Sequence, residues 1–152
     1  MTQARTEDDA IRVAVSAVIF SLRASDDGDR LMLPLVRRTR EPYRGMWALP
    51  GGWLGVDEDL DAAAAHTLAE TTGLTPSYLE QLYTFGDVDR SPNRTISVVY
   101  WALLRSDLVD AQRSAAGAPE NVEWLDVDAI PPLAFDHNRI AAYALDRLRN
   151  KV

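Results

Sequence analysis

Between Gly51 and Pro76 the chain has little choice of structure. Two glycines open the stretch, Asp57, Glu58 and Asp59 follow, and then comes "LDAAAAHTLAETTGL". Leu60, Ala64 and Leu68 recur every four residues, the repeat that stacks apolar groups on one side of a helix. Asp57 or Asp59 can cap its start, Gly73 followed by Leu74 fits a left-handed stop, and Pro76 forbids continuation. One helix of set length is therefore pinned between a glycine turn and a proline. The rest of the fold has to be built around it.

Its flanks read as strands. "RVAVSAVIFSL" (12–22) is rich in β-branched residues and apolar on both alternating faces, which predicts a strand buried on both sides. "RASDDGDR" is turn chemistry and leads into "LMLPLVRR", so the two strands form a hairpin, with Pro34 placing the second at an edge or a bulge. "TREPYRG" reads as a basic loop, "MWALP" as a short strand and "GGWLGVDED" as a glycine-rich acidic loop. Past the helix, "LEQLYTFGD" and "RTISVVYWALL" are two strands joined through "VDRSPN". "SDLVDAQRSAAGAPE" reads as a polar loop and "NVEWLDV" as a further strand. "FDHNRIAAYALDRLRNKV" closes the chain as a helix, with Asp136 near its start and Arg147, Arg149 and Lys151 at its end, as the helix dipole favours. This order predicts an α+β fold, an α/β/α sandwich in which helices cover a mixed sheet. Residues 1–10 are polar and predict a disordered tail; 11–152 predict a single domain.

Composition narrows the function classes. The chain has no cysteine, which removes disulfides, thiolate metal sites and cysteine nucleophiles together. A net charge of −7 argues against attraction to a nucleic-acid backbone. The apolar run "VAVSAVIF" is too short to span a membrane, and the N-terminus lacks the apolar core of a signal peptide. A cytoplasmic protein with neither membrane nor nucleic-acid partner is expected. Against this acidic background Arg37, Arg38, Arg40 and Arg44 cluster just before the glycines. Such a cluster suits a diphosphate, although a basic run alone also describes a solvated edge. Arg90 and Arg94 could add to it from the opposite loop. Gly51 and Gly52 let backbone approach a ligand closely, and equally form a tight strand-to-loop turn. Trp53 and Tyr43 lie in loops where an aromatic face can stack on a nucleobase, whereas Trp47 and Trp124 lie in apolar strands and read as core.

The stretch from Gly52 to Leu74 resembles the Nudix box, and "EPYRGMWALPGG" resembles that family's approach to it. Laid from Gly52, the family pattern matches at Gly52, Glu58, Leu68, Glu70, Gly73 and Leu74. It finds His66 where arginine belongs, and Thr67 and Thr71 where glutamates belong. The resemblance covers nearly the whole chain and implies the Nudix fold. It also implies Mg2+ or Mn2+ held by helix carboxylates and the Gly51 carbonyl against a pyrophosphate. Glu70 and Glu58 then remain as catalytic positions, Glu58 meeting a protonated His66 as it would meet the arginine, unless His66 is simply a surface helix histidine. Glu70 is a residual metal or water ligand, or else an ordinary solvated helix glutamate. Magnesium is a hard cation that wants anionic oxygen, and two threonines offer only neutral hydroxyls, so weak metal binding is expected.

The stretch from "LEQLYTFGDVDR" to "LAFDHNRI" is similar to ADP-ribose pyrophosphatases and to the sensor domains of Nudix-related regulators of NAD metabolism. Those regulators carry a C-terminal winged-helix domain; this chain stops at Val152, so none is expected. The resemblance thus implies recognition of a nucleoside diphosphate-linked ligand such as ADP-ribose, with hydrolysis weak or lost. Arg37, Arg38, Arg44, Gly51, Gly52 and Trp53 would contact it, and a homodimer stays open. The alternative is a working magnesium-dependent hydrolase that uses Glu70 and carboxylates outside the box, from Asp57, Asp59 and Asp61 or from Asp107, Asp110 and Glu120.

Overall fold

The structure, a computed structural model, describes residues 10–117 and 119–151. Residues 1–9 of the predicted tail lie outside the described residues. The centre of the fold is β1 (Arg12–Arg23), whose β-branched run supports the long strand. It pairs in parallel with β6 (Thr95–Arg105) along nearly its whole length, from Arg12 opposite Thr95 to Leu22 opposite Arg105. It also pairs antiparallel with β2 (Arg30–Arg37), closing the predicted hairpin with Arg23 opposite Arg30. Strands β3 (Trp47–Ala48) and β7 (Val122–Asp126) lie on β2, β4 (Gly51–Trp53) lies on β1, and β5 (Glu80–Phe85) lies on β6. The result is one mixed sheet of seven strands.

The two apolar faces of β1 divide the helices. Val18 and Phe20 pack with Leu33, Leu35 and Leu49 against Ile140, Ala144 and Leu148 of α3 (His137–Lys151). Ala17 and Ile19 point to the other face, against Leu68 of α1 (Leu60–Thr72) and Val109 of α2 (Ser106–Ala116). Val15 continues that face onto Ala63 and Ala64. The layers are therefore the predicted sandwich, with α3 on one side and α1 and α2 on the other. Gly73 ends α1 at φ 79°, its N–H donating to the Ala69 carbonyl at 2.9 Å. Asp59 occupies the N-cap position, although its side chain makes no capping hydrogen bond.

Two local expectations are corrected. The segment from Ser106 is not a loop but the helix α2, anchored through the fully buried Val109, while its polar residues form a solvated face. Gly51–Trp53 is a strand, because pairing with β1 outweighs the low strand preference of two glycines. Pro34 meets the edge expectation locally, in the gap that β2 leaves between its pairings with β1 and β3. The pairing of β2 with β1 ends at Met32, so Pro34 meets a ladder partner, Trp124 of β7, on one side only. Its missing N–H therefore costs no bond to β1. Among the described residues no helix is long and apolar enough to cross a membrane.

Candidate functional site

The ladder between β1 and β4 decides what the glycines can offer. Ala17 N–H donates to the Pro50 carbonyl at 3.0 Å, and Leu54 N–H to that of Val13 at 2.9 Å. Bonded and non-bonded pairs alternate along an antiparallel ladder. Gly51, opposite Ser16, and Trp53, opposite Ala14, are therefore non-bonded pairs whose backbone groups point away from β1. No side chain fits at Gly51, since a Cβ there would lie 2.6 Å from Ser16 Oγ and 2.8 Å from the Val15 carbonyl oxygen. A Cβ on Gly52 would meet Thr67 Cγ2 at 3.1 Å. We expect Gly51→Ala to destabilise the fold by about 1–3 kcal/mol, the cost of overpacking, in urea denaturation. A loss below about 0.5 kcal/mol, the range of neutral surface changes, would show that the loop yields freely.

From the opposite face the same turn is held by α3. Leu49 N–H donates to Nδ1 of the buried His137 at 3.0 Å. Burial pushes the His137 pKa down to about 4; Arg90 and Arg38 add to this and Asp136 opposes it. The imidazole is therefore neutral, with Nδ1 as acceptor and its proton on Nε2.

The box helix presents few free donors for a cation. Thr67 is buried beneath Gly52. Thr71 Oγ1 donates back to the Thr67 carbonyl at 2.8 Å, a habit of threonine within helices. Glu70 is exposed and pairs with His66, Nε2 to Oε1 at 3.1 Å. This corrects the expected meeting of His66 with Glu58, because residues four apart face each other on a helix and Glu70 stands in that position. Glu58 Oε1 instead accepts from Gly55 N–H at 3.0 Å, folding the acidic loop on itself. Among the described residues no three His, Asp or Glu side chains converge. One exposed carboxylate, itself paired with His66, and one carbonyl do not fit the six-oxygen demand of a resident magnesium ion, so no step is assigned to a metal here. Of the outlying carboxylates, Asp107 pairs with Arg105 at 2.7 Å, Asp110 with Arg23, and Asp61 accepts from Tyr100 Oη at 2.6 Å. Burial first, and then that bond, push Tyr100 up to about 12.

The arginines separate. Arg38 is half-buried, donates from Nε to the Pro42 carbonyl at 2.8 Å, and lies over the Phe135 ring at 4.8 Å. Burial lowers its pKa. Tyr43 meets Phe135 edge-on at 4.8 Å, and Phe135 lies 5.4 Å from the His137 ring. Tyr43 (φ 65°) and Phe135 (φ 55°) are both in the left-handed region, a strained state that surrounding contacts must hold. Arg37 instead covers Trp47 at 4.7 Å, and Arg44 is exposed with its backbone N–H on Glu41 Oε1. Arg90 does not join the cluster, because Asp136, Ser97 and the Thr95 carbonyl consume its donors. Arg94 donates to the Gly86 carbonyl at 2.9 Å. Trp53 is 46% exposed, with the Arg12 guanidinium 3.7 Å over its ring. Sequence reading missed Arg12, Phe135 and His137. The one available signal was the "FDH" run, which read only as a helix start.

The family model described as a NUDIX domain matches residues 11–148. The chain belongs to the Nudix family. This Nudix domain is 33% identical over 144 residues to the ADPR responsive transcriptional repressor NtrR of Acinetobacter baylyi, covering 91% of the chain and 55% of the repressor. It is 30% identical over 106 residues to the ADP-ribose pyrophosphatase of Methanocaldococcus jannaschii, covering 70% of the chain and 61% of that enzyme. The chain thus spans less than two thirds of both relatives. The NUDIX domain of Shewanella oneidensis NrtR, solved in complex with ADP ribose, superposes with a TM-score of 0.76 at 32% identity, covering 91% of this chain and 89% of that one.

Proposed function

We propose that this Nudix domain binds ADP-ribose or a similar nucleoside diphosphate-linked ligand, and that its metal-dependent hydrolysis is weak or lost. The observation that carries this reading is the face of α1 towards the glycine turn. Thr67 is buried there, Thr71 is bonded to backbone, and Glu70 is the one carboxylate left among residues 66–72. The likeness to a domain solved with ADP ribose supports the ligand class. In this reading the diphosphate lies along the outward backbone of Gly51, passing over the side-chain-free Gly52, with Arg38 beside it. Arg37 and Arg44 supply the outer charge, and Trp53 or Tyr43 takes the base. Magnesium or manganese binds weakly, or only together with the ligand, through Glu70 and the Gly51 carbonyl.

Calorimetry with ADP-ribose, with and without magnesium, tests the reading alongside a product assay. We expect binding that persists in chelator, and a loss of about 1.5–3 kcal/mol in Arg38→Ala, the scale of a charge-assisted hydrogen bond. Unaltered affinity in Arg37→Ala, Arg38→Ala and Arg44→Ala alike would assign all three to a solvated surface. The rival reading, hydrolysis built around Glu70, draws on the likeness to ADP-ribose pyrophosphatase. Turnover at about 1 per second or faster would establish it instead.

A further inference from the structure

Arg90 lies in the connection between β5 and β6, distant along the chain from Gly51, and its side chain is 3% exposed. A buried guanidinium must satisfy its donors, since leaving a charge unpaired in the interior is costly. Nε and Nη2 fork onto the two oxygens of Asp136 at 3.0 and 2.7 Å. Nη1 donates to Ser97 Oγ at 2.9 Å and to the Thr95 carbonyl at 3.2 Å, both on β6. Asp136 immediately precedes α3, and its carbonyl accepts from Arg139 and Ile140 at 3.0 and 3.2 Å, fixing the first turn of the helix. The next residue is His137, whose Nδ1 holds the Leu49 amide two positions before Gly51. A continuous line of contacts therefore runs from β6 through Arg90, Asp136 and His137 to the glycine turn.

We infer that Arg90 is a positioning residue for that turn: acting through Asp136 and His137, it sets where the Leu49–Gly52 backbone stands and ties the β5–β6 connection to it. A merely structural ion pair would stabilise α3 against the sheet and leave the glycine amides where they are. The position of that backbone is a property of the ligand-free protein, and only its consequence for affinity rests on the proposed ligand.

Backbone amide spectra of the ligand-free protein separate the two roles. In Arg90→Met, Asp136→Asn and His137→Phe we expect the Gly51 and Gly52 amide resonances to move. Adding Arg90→Met to His137→Phe should then shift them little further, because coupled residues give non-additive effects. Leu148→Ala, a core truncation at the far end of α3, should leave both amides in place. ADP-ribose affinity should fall about tenfold in Arg90→Met, the scale of one lost supporting hydrogen bond, and stay within about twofold in Leu148→Ala. Glycine amides that stay still, or shifts that add fully in the double variant, overturn the inference. A natural protein that binds no ADP-ribose sinks the ligand reading alone, and the amide shifts still decide the role of Arg90. If Arg90→Met fails to fold, Arg90→Lys serves in its place, since a lysine supplies a point charge but cannot fork.

Discussion

A variant carrying His66→Arg, Thr67→Glu and Thr71→Glu is expected to bind magnesium at least about 100-fold more tightly than the natural chain and to gain diphosphate hydrolysis. The magnitude follows from electrostatics: a carboxylate beside a divalent ion is worth several kcal/mol even at an effective dielectric of about 20. Each ~1.4 kcal/mol is a factor of ten in affinity. The structure is prepared for the change. Position 67 lies directly beneath Gly52, the residue after Gly51, and α1 already has its length and its glycine stop. Thr71→Glu also releases the carbonyl of residue 67 from its side-chain bond. Glutamate is the better helix former, so α1 should tolerate both replacements. Without metal the new carboxylates crowd Glu70, and like charges in one site resist ionisation. Melting temperature should therefore drop in chelator and recover with magnesium. A triple variant that binds no magnesium would show that the frame is not a metal site at all. One that binds the ion yet stays inert would place the missing base outside the box.

Acidification from pH 6.5 to 4 is expected to remove roughly 3 kcal/mol of stability through His137 alone. Its folded pKa is depressed to about 4 against an ordinary 6.5. Within that window the unfolded chain binds the proton and the folded chain does not, so stability rises with pH and is lost as pH falls. A tenfold change in proton affinity corresponds to about 1.36 kcal/mol, which sets the size. The check is urea denaturation across this range for the natural chain and for His137→Asn, whose side-chain oxygen can still accept from Leu49 N–H. The carboxylates titrate in both proteins, so the difference between the two curves isolates the imidazole. Parallel curves would mean that His137 becomes charged without penalty.

The limits of α1 are legible in the sequence because its signals are local. Gly73 takes a left-handed φ and Pro76 lacks a donor wherever they stand. The long strands are equally legible, since β1 is apolar on both faces and both faces carry helices. What escapes is what depends on distant partners. Leu49 and His137 are 88 positions apart and meet only after α3 packs on the sheet. β4 exists only because β1 pairs with it, and α2 hides a single apolar anchor among polar residues. At the site, Gly51, Gly52 and the three departures at His66, Thr67 and Thr71 can be read from spacing. The division of the arginines cannot, because Arg38 and Arg90 differ in what covers them rather than in their neighbours along the chain.

The parallel union of β1 and β6 has a consequence in time. Arg12 pairs with Thr95, more than half the chain length away, and that register runs on to Leu22 and Arg105. During synthesis the first strand emerges early and must wait for its partner until residue 105 has left the ribosome. Its apolar faces meanwhile lack α2 and α3, which follow β6 in the chain. Pairings so far apart in sequence close slowly, because the loop entropy is lost before the contacts form. The nascent chain therefore passes through a stage in which its central strand is both the most apolar segment and the least protected, the state that chaperones bind and aggregates recruit.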